Sequence, residues 1–287
     1  MGDSVEPVYE CFDLKIENGV AHLQMNRPDD LNSMIPSFWS DLPEIVNDID
    51  DNAKARAIVL SSTGKHFCAG MDLSVFTGGS ALSGFGGADE LGRQRAFLWM
   101  MVQHLQNAFT SLEKARMPVL AAVQGGAIGG AVDMICAADM RYCTADAFFC
   151  VQEINIGMTA DVGTLQRLPK IIPEGIAREL AYTGDRMPAE KALRCGLVNE
   201  VFDDHDSLVA GVLEIAERIA SHSPLAIWGT KEAIKYARDH TVADSLSNIA
   251  GWQSGMFTPG DMMEEFGAKS EKRGASFEEI PPRPGAL

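Results

Sequence analysis

Apolar and polar residues alternate twice near the start of the chain, at Phe12, Leu14 and Ile16 and again at Ala21, Leu23 and Met25, with Asn18 and Gly19 between them. Two period-2 runs around Asn-Gly predict a β-hairpin, because both turn residues tolerate the positive φ that a tight hairpin turn requires. The period then changes: Ile35, Phe38, Trp39, Leu42, Ile45, Val46 and Ile49 recur at helical spacing and predict an amphipathic helix. Residues 57–60 (Ala-Ile-Val-Leu) read as a buried strand running into the segment 64–73 (Gly-Lys-His-Phe-Cys-Ala-Gly-Met-Asp-Leu). A glycine-biased stretch at 77–92 predicts a flexible surface loop, either a lid or a plain connector. A long helix follows, with Phe97, Met101, Leu105, Phe109 and Leu112 on one face. Residues 117–123 form another buried strand, which enters the turn 125–130 (Gly-Gly-Ala-Ile-Gly-Gly), and a helix starting near Ala131 carries Asp133.

This alternation of strand and helix indicates an α/β fold. From about residue 206 the pattern is helical only, with one stripe at Leu208, Val212, Ile215 and Ile219 and another at Val242, Leu246, Ile249, Trp252 and Met256. The expected organisation is a core over 1–205 and a helical region over 206–287. The apolar faces of that region either cap the core or bury themselves against another subunit.

Composition adds limits. The 287 residues are 46% hydrophobic and 22% charged, an ordinary globular balance. No apolar run approaches the roughly 20 residues that span a bilayer. Residues 1–10 carry acids and neither Lys nor Arg, and the chain ends Gly-Ala-Leu rather than Ser-Lys-Leu, so the expected location is the cytoplasm. A net charge of -16 argues against nucleic acid and anionic membranes as partners. The six cysteines form no C-x-x-C pair and are expected to be reduced, and the six histidines form no metal-binding motif.

Candidate chemistry centres on Asp133, Glu153 and Asp161, three carboxylates within 29 residues, each flanked by residues that favour burial. A buried carboxylate finds a partner or shifts its pKa, so such a cluster suggests proton handling in an apolar pocket. Each acid also has a plainer reading: Asp133 as a first-turn helix acid, Glu153 as a solvated strand residue, Asp161 as an N-cap. Two glycine-bearing turns, Ala69-Gly70-Met71 and Gly129-Gly130, each follow a buried strand. Backbone N–H groups converging from two such turns would make an oxyanion hole, while the plainer reading is a pair of tight turns. Lys231 and Lys235 share a helical face, expected to be solvated or to meet phosphates.

These residues match a known pattern. The segments 26–28 (Asn-Arg-Pro), 32–34 (Asn-Ser-Met), 67–73, 125–130 and 196–199 (Gly-Leu-Val-Asn) resemble the crotonase superfamily, the enoyl-CoA hydratase/isomerase fold, over nearly the whole chain. The resemblance implies a spiral of ββα units with a C-terminal helical trimerisation region, a homotrimer or dimer of trimers. It implies an acyl-CoA thioester substrate in fatty acid β-oxidation, with no cofactor or metal beyond the coenzyme A of the substrate. Its carbonyl oxygen would sit between the N–H groups of Met71 and Gly130, with Ala69, Gly70, Asp72, Leu73 and Gly129 around the ligand.

Within the superfamily, hydratases have Glu where Asp133 stands and typically Gly where Asp161 stands, and simple enoyl-CoA isomerases rely on one Glu at the position of Glu153. The full trio, with 141–149 and 160–170, is most similar to the Δ3,5-Δ2,4-dienoyl-CoA isomerases. That implies Asp161 removing a C2 proton, Glu153 delivering one at C6 and Asp133 tuning both. Ser74 stands where many hydratases have Lys, which leaves open which cations hold the CoA phosphates. The missing peroxisomal tail implies a bacterial, cytoplasmic member. The rival readings are a 2-enoyl-CoA hydratase using Asp133 and Glu153, and a non-catalytic acyl-CoA-binding scaffold.

Overall fold

The computed structural model describes residues 8–72, 75, 90–257 and 259–285. The expected lid or connector at 77–92 therefore falls almost entirely outside the described residues, as do Leu73 and Ser74.

Strands β1 (Phe12–Glu17) and β2 (Val20–Met25) pair antiparallel from Phe12↔Met25 to Glu17↔Val20. Asn18 and Gly19 between them have φ of 52° and 75°, the signature of the tight turn the sequence predicts. Helix α1 (Pro36–Asp51) buries Phe38, Trp39, Leu42, Ile45, Val46 and Ile49, so the predicted stripe is the observed one. It leads to β3 (Ala57–Ser62), whose six residues are all buried. Helix α2 (Leu91–Lys114) buries Phe109 and Leu112 but leaves Phe97, at the other end of the expected face, exposed. Then come β4 (Val119–Val123), β5 (Gly126–Ile128), α3 (Gly130–Ala137), β6 (Met140–Thr144) and β7 (Phe148–Cys150). The short helix α4 (Thr164–Arg167), α5 (Glu174–Thr183), β8 (Met187–Pro188), α6 (Ala189–Cys195) and β9 (Glu200–Phe202) complete the core. Helices α7 (His205–Ala220), α8 (Pro224–Asp239), α9 (Val242–Met256) and α10 (Pro259–Glu271) follow.

The strands form two layers. The larger sheet has the order β1-β2-β3-β4-β6-β9, parallel from β2 onward, and the smaller has the order β5-β7-β8. Isolated parallel bridges Met34↔Met71 and Cys68↔Ala127 add two steps of the smaller layer. The chain repeatedly runs through the large sheet, then the small layer, then a helix: β3, Cys68 and α2; β4, β5 and α3; β6, β7 and α4. This is the spiral of ββα units that the resemblance implies.

The large sheet is covered on both faces, which explains the unbroken apolar runs of β3 and β4. Ala21, Leu23, Ile58, Leu60, Val119, Ala121 and Val123 face the main core with α1 and α3, while Val20, Ala57, Val59, Leu120 and Ala122 face α7. The two C-terminal stripes therefore have different fates. Leu208 and Val212 of α7 are buried on the sheet, whereas Val242 and Leu246 of α9 are exposed. No helix among the described residues is long and apolar enough to cross a membrane.

Candidate active site

Adjacent parallel strands that stop at one edge deliver whatever follows them to one place. In the smaller layer Cys68 pairs with Ala127 and Ile128 with Cys150. The chain just beyond each therefore converges: Gly70 and Met71, then Gly129 and Gly130, then Glu153. The Gly129 amide donates to the Cys150 carbonyl at 2.9 Å, and a Cβ added at Gly129 would lie 3.3 Å from Glu153 Oε1. Gly70, at φ 86°, approaches the next turn so closely that a Cβ there would meet the Ile128 carbonyl at 2.7 Å and the Gly130 nitrogen at 3.6 Å. Only glycine fits both the backbone angle and the gap.

Two amides at this edge are left over by the local pairing. The Met34–Met71 bridge uses Met34 N–H to the Gly70 carbonyl (2.8 Å) and Asp72 N–H to the Met34 carbonyl (3.1 Å), so the Met71 N–H faces away from it. Gly130 is the first residue of α3, and the leading amides of a helix have no partner within it. Met34 lies between the two turns, its Sδ 3.1 Å from a Cβ placed on Gly130. The loop that carries Met34 is braced by Asn32, whose Nδ2 donates to the Thr63 and His66 carbonyls, and by Ser33, whose hydroxyl donates to Asp72 Oδ2 at 2.8 Å. Asn32 and Ser33, landmarks of the sequence pattern, thus brace the Gly70 turn, and Asp72 serves the same turn.

The three carboxylates occupy three different environments around this edge. Asp133 sits in the first turn of α3, a helix buried from Ala131 onward, and is fully buried. Its Oδ1 accepts the Thr164 amide at 2.5 Å, while its Oδ2 is buried with no hydrogen-bond partner among the described residues. Burial pushes its carboxyl up to about 6 against the pull of that amide, and the charge of Asp161 adds to the rise. Glu153 is half-buried on a 3-10 turn, Gln152–Ile156, rather than on a strand as the sequence suggested, because β7 ends at Cys150. Burial, then the charge of Asp133, pushes Glu153 up to about 7, and its Oε2 also has no partner among the described residues. Asp161 stands at the exposed rim, its carboxyl raised by the partial burial of its surroundings. It is not an N-cap: α4 is preceded by Gly163 with no side-chain cap, and Asp133 takes the Thr164 amide across the gap instead.

Other expectations change. Lys231 is buried, not solvated, with its ammonium bonded to the Leu112 and Met117 carbonyls and to Asp139 Oδ2 at 2.8 Å. Three acceptors replace its water, so it locks α8 onto the core, while Lys235 pairs with Glu232. All six cysteines are free. Among the described residues, no group of three or more His, Cys, Asp or Glu is arranged to hold a metal ion.

A cavity of about 440 Å³ adjoins these turns, and Ala69, Ile128, Lys65, His66, Asp146 and Arg186 are among its lining residues. His66 Nδ1 accepts the Gly126 amide at 2.9 Å, and burial followed by the charge of Lys65 lowers its pKa. Arg186 lies over the Phe148 ring at 4.3 Å. A larger cavity, about 840 Å³, lies between residues 136–140 and α8, and none of the three acids lines it.

Comparison with known proteins agrees with this geometry. A family model described as enoyl-CoA hydratase/isomerase matches residues 15–280. The mitochondrial Δ3,5-Δ2,4-dienoyl-CoA isomerase of Homo sapiens is 40% identical over 275 residues, 95% of this chain and 83% of that one. The peroxisomal enzyme of the same name from Arabidopsis thaliana is 39% identical, covering 92% and 94%. A crotonyl-CoA hydratase of Syntrophomonas wolfei is 31% identical, covering 94% and 98%. Among solved structures, an enoyl-CoA hydratase from Bacillus anthracis matches with a TM-score of 0.81 at 28% identity, covering 93% and 99%.

These relatives overturn the cytoplasmic placement expected from the terminal residues, because the isomerases are mitochondrial or peroxisomal by name. That expectation rested on short segments at the chain ends, partly outside the described residues. With one family model spanning most of its length and relatives about 40% identical across nearly all of it, the chain belongs to the enoyl-CoA hydratase/isomerase family.

Proposed function

We propose that the chain isomerises 3,5-dienoyl-CoA to 2,4-dienoyl-CoA by carboxylate-mediated proton transfer, as a step in the β-oxidation of unsaturated fatty acids. The observation that carries this reading is the convergence of three acids, rather than one or two, on a single strand edge beside two uncommitted amides. The relatives named dienoyl-CoA isomerase, about 40% identical, stand nearer than the crotonyl-CoA hydratase at 31%.

The chemistry follows from the environments. Moving both double bonds one position toward the thioester removes a proton from C2 and adds one at C6. Negative charge therefore passes through a dienolate on the thioester oxygen. The N–H groups of Met71 and Gly130 are assigned to that oxygen, with Gly129, Gly70 and Ala69 shaping the approach; one such donor is typically worth about 3–4 kcal/mol in the transition state. Asp161, exposed at the rim, is assigned the ionised starting state and takes the C2 proton. Glu153, raised to about 7 by burial and by Asp133, begins protonated and delivers to C6. Asp133 holds α4 through the Thr164 amide and keeps Glu153 neutral by its charge. Coenzyme A enters only as part of the substrate, and proton transfer needs no other cofactor. Lys65 and Arg186, on the 440 Å³ cavity, are assigned to the anionic part of the ligand, the cations a chain of net charge -16 must supply locally. The exposed apolar faces of α9 and α10 are assigned to self-association as a trimer or a dimer of trimers.

A second reading, 2-enoyl-CoA hydration, is favoured by one feature: Asp133 Oδ2 and Glu153 Oε2 are both buried without partners among the described residues and would suit a shared water. The test is spectrophotometric turnover of a 3,5-dienoyl-CoA against crotonyl-CoA, with wild type and Asp161→Asn. Isomerisation is expected to dominate and to fall by about 10²–10⁴ in the variant. Intact isomerisation in Asp161→Asn would defeat the assignment, and faster hydration than isomerisation would favour the second reading.

A further inference from the structure

Residues 161–164 are gripped from two sides, and only one grip belongs to the acids. Behind them, α2 presents Gln106, Thr110 and Glu113, spaced four and three apart and so on one helical face. Gln106 Nε2 donates to the Asp161 carbonyl at 2.7 Å. Arg167, at the end of α4, donates from Nη2 to Thr110 Oγ1 at 3.2 Å and to Glu113 Oε2 at 3.0 Å, with Nε also on Glu113 at 3.2 Å. The pair is largely buried, with side-chain exposures of 12% for Arg167 and 17% for Glu113. Arg238 of α8 lies 2.6 Å from Glu113 Oε1, and Lys170 pairs with Asp239, so the C-terminal helices close the same network. Gly163 has φ 140°, and a Cβ there would overlap the Arg167 guanidinium. The guanidinium therefore lies directly against the backbone between Asp161 and Thr164.

We propose that Arg167, oriented by the Gln106–Thr110–Glu113 face of α2 and closed by Arg238, is a positioning residue that sets the placement of Asp161 and the Thr164 amide on which Asp133 depends. The proposal rests on the catalytic reading of these acids given above. An ion pair held from three elements adds to the buried Ala160 and Val162 in holding this loop against α2. A carboxylate that must reach one proton of a bound thioester tolerates little displacement; an error near 1 Å costs on the order of 10²-fold in rate. The groups facing Asp133 are Glu153 beyond β7, Asp161 on the loop and Arg167 on α4. Arg167 is the cation among them, and its charge opposes the effect of burial on Asp133. Glu113 stays ionised because Arg167 and Arg238 outweigh the effect of its own burial.

The experiment compares Arg167→Met, Arg167→Lys and Gln106→Met with wild type in the full-length protein, by kcat and KM on a 3,5-dienoyl-CoA and by ¹³C-carboxyl NMR titration of Asp133. Arg167→Met is expected to lower kcat by about 10–100-fold with KM changed less than about threefold, and to move the Asp133 midpoint upward. Arg167→Lys, which keeps the charge but not the bidentate fork, is expected to restore the midpoint and part of kcat. A fall in thermal stability with kcat within twofold of wild type and an unmoved Asp133 midpoint would overturn the proposal. Should Arg167→Met not fold, Gln106→Met decides: a kcat loss of about threefold or more supports the proposal, and unchanged kcat overturns it. If wild type turns over no dienoyl thioester, the functional reading fails by itself, while the Asp133 titration still tests the placement.

Discussion

The raised carboxyl of Glu153 makes two separable statements, one about rate and one about stability. Its folded pKa of about 7 stands above the ordinary 4.5. Between those values the folded chain keeps a proton that the unfolded chain releases, so stability falls as pH rises through this window and the penalty is complete above about 7. Glu153→Gln removes the ionisation. The variant is expected to melt a few degrees above wild type at pH 8, on the order of 1–3 kcal/mol, and close to wild type at pH 4. Thermal melts at the two pH values check this, and an equal offset at both would count against it. In the turnover proposed above, the same group starts protonated and Asp161 ionised. The wild-type kcat/KM is therefore expected to decline above about pH 7, with apparent midpoints that belong to the Asp133–Glu153 pair rather than to either acid alone. At this scale the sequence was informative about residue type and burial: Asp133 among Val132 and Met134 is fully enclosed, as its neighbours implied. It was silent on partners. Thr164, Gln106 and Arg167 meet the acids only through folding, and a lysine spaced like a solvated one, Lys231, is enclosed because three acceptors happen to surround it.

Elements carry the site more than any side chain does, because the donor turns exist only where parallel strands end together. Gly70 shows the tolerance. At φ 86° and with the Ile128 carbonyl 2.7 Å from a prospective Cβ, alanine must push β5 away from the Gly70 turn. Gly70→Ala is expected to lower kcat/KM by about 10²–10³, the loss of one oriented donor, while circular dichroism stays native because β5 is only three residues long. An Ala variant with near wild-type kcat/KM would show that the Met71 amide is not the donor. The hairpin, the α1 stripe and the buried runs of β3 and β4 were legible from period alone, since each repeats a single environment along its length. What period does not encode is a bridge of one residue pair. Met34↔Met71 and Cys68↔Ala127 have no pattern to betray them, yet they decide that Met71 and Gly130 lie together. Phe97 is legible in the same limited sense: it has helical spacing, but α2 has run past the core by that point and the residue is exposed.

Among the described residues, one chain leaves several large apolar side chains of the last two helices uncovered. Val242 and Leu246 of α9 are 76% and 64% exposed, and Met263 and Phe266 of α10 are 59% and 57% exposed. Exposed apolar residues of this kind are what the proposed self-association would cover. The first C-terminal helix, α7, has already spent its stripe on the sheet, so spacing alone could not tell a capping helix from an assembly helix; the difference lies in whether a sheet face remained open. Chains of net charge -16 repel one another, and that repulsion is screened by salt while apolar contact is not. Light scattering is therefore expected to show a mass of three or six chains that holds or rises as salt increases from about 20 to 300 mM. Leu246→Glu combined with Phe266→Glu places two further acids on the same surface and is expected to yield single chains at low salt with α1 to α7 still folded. Retention of the wild-type mass in that double variant would mean that other surfaces join the subunits.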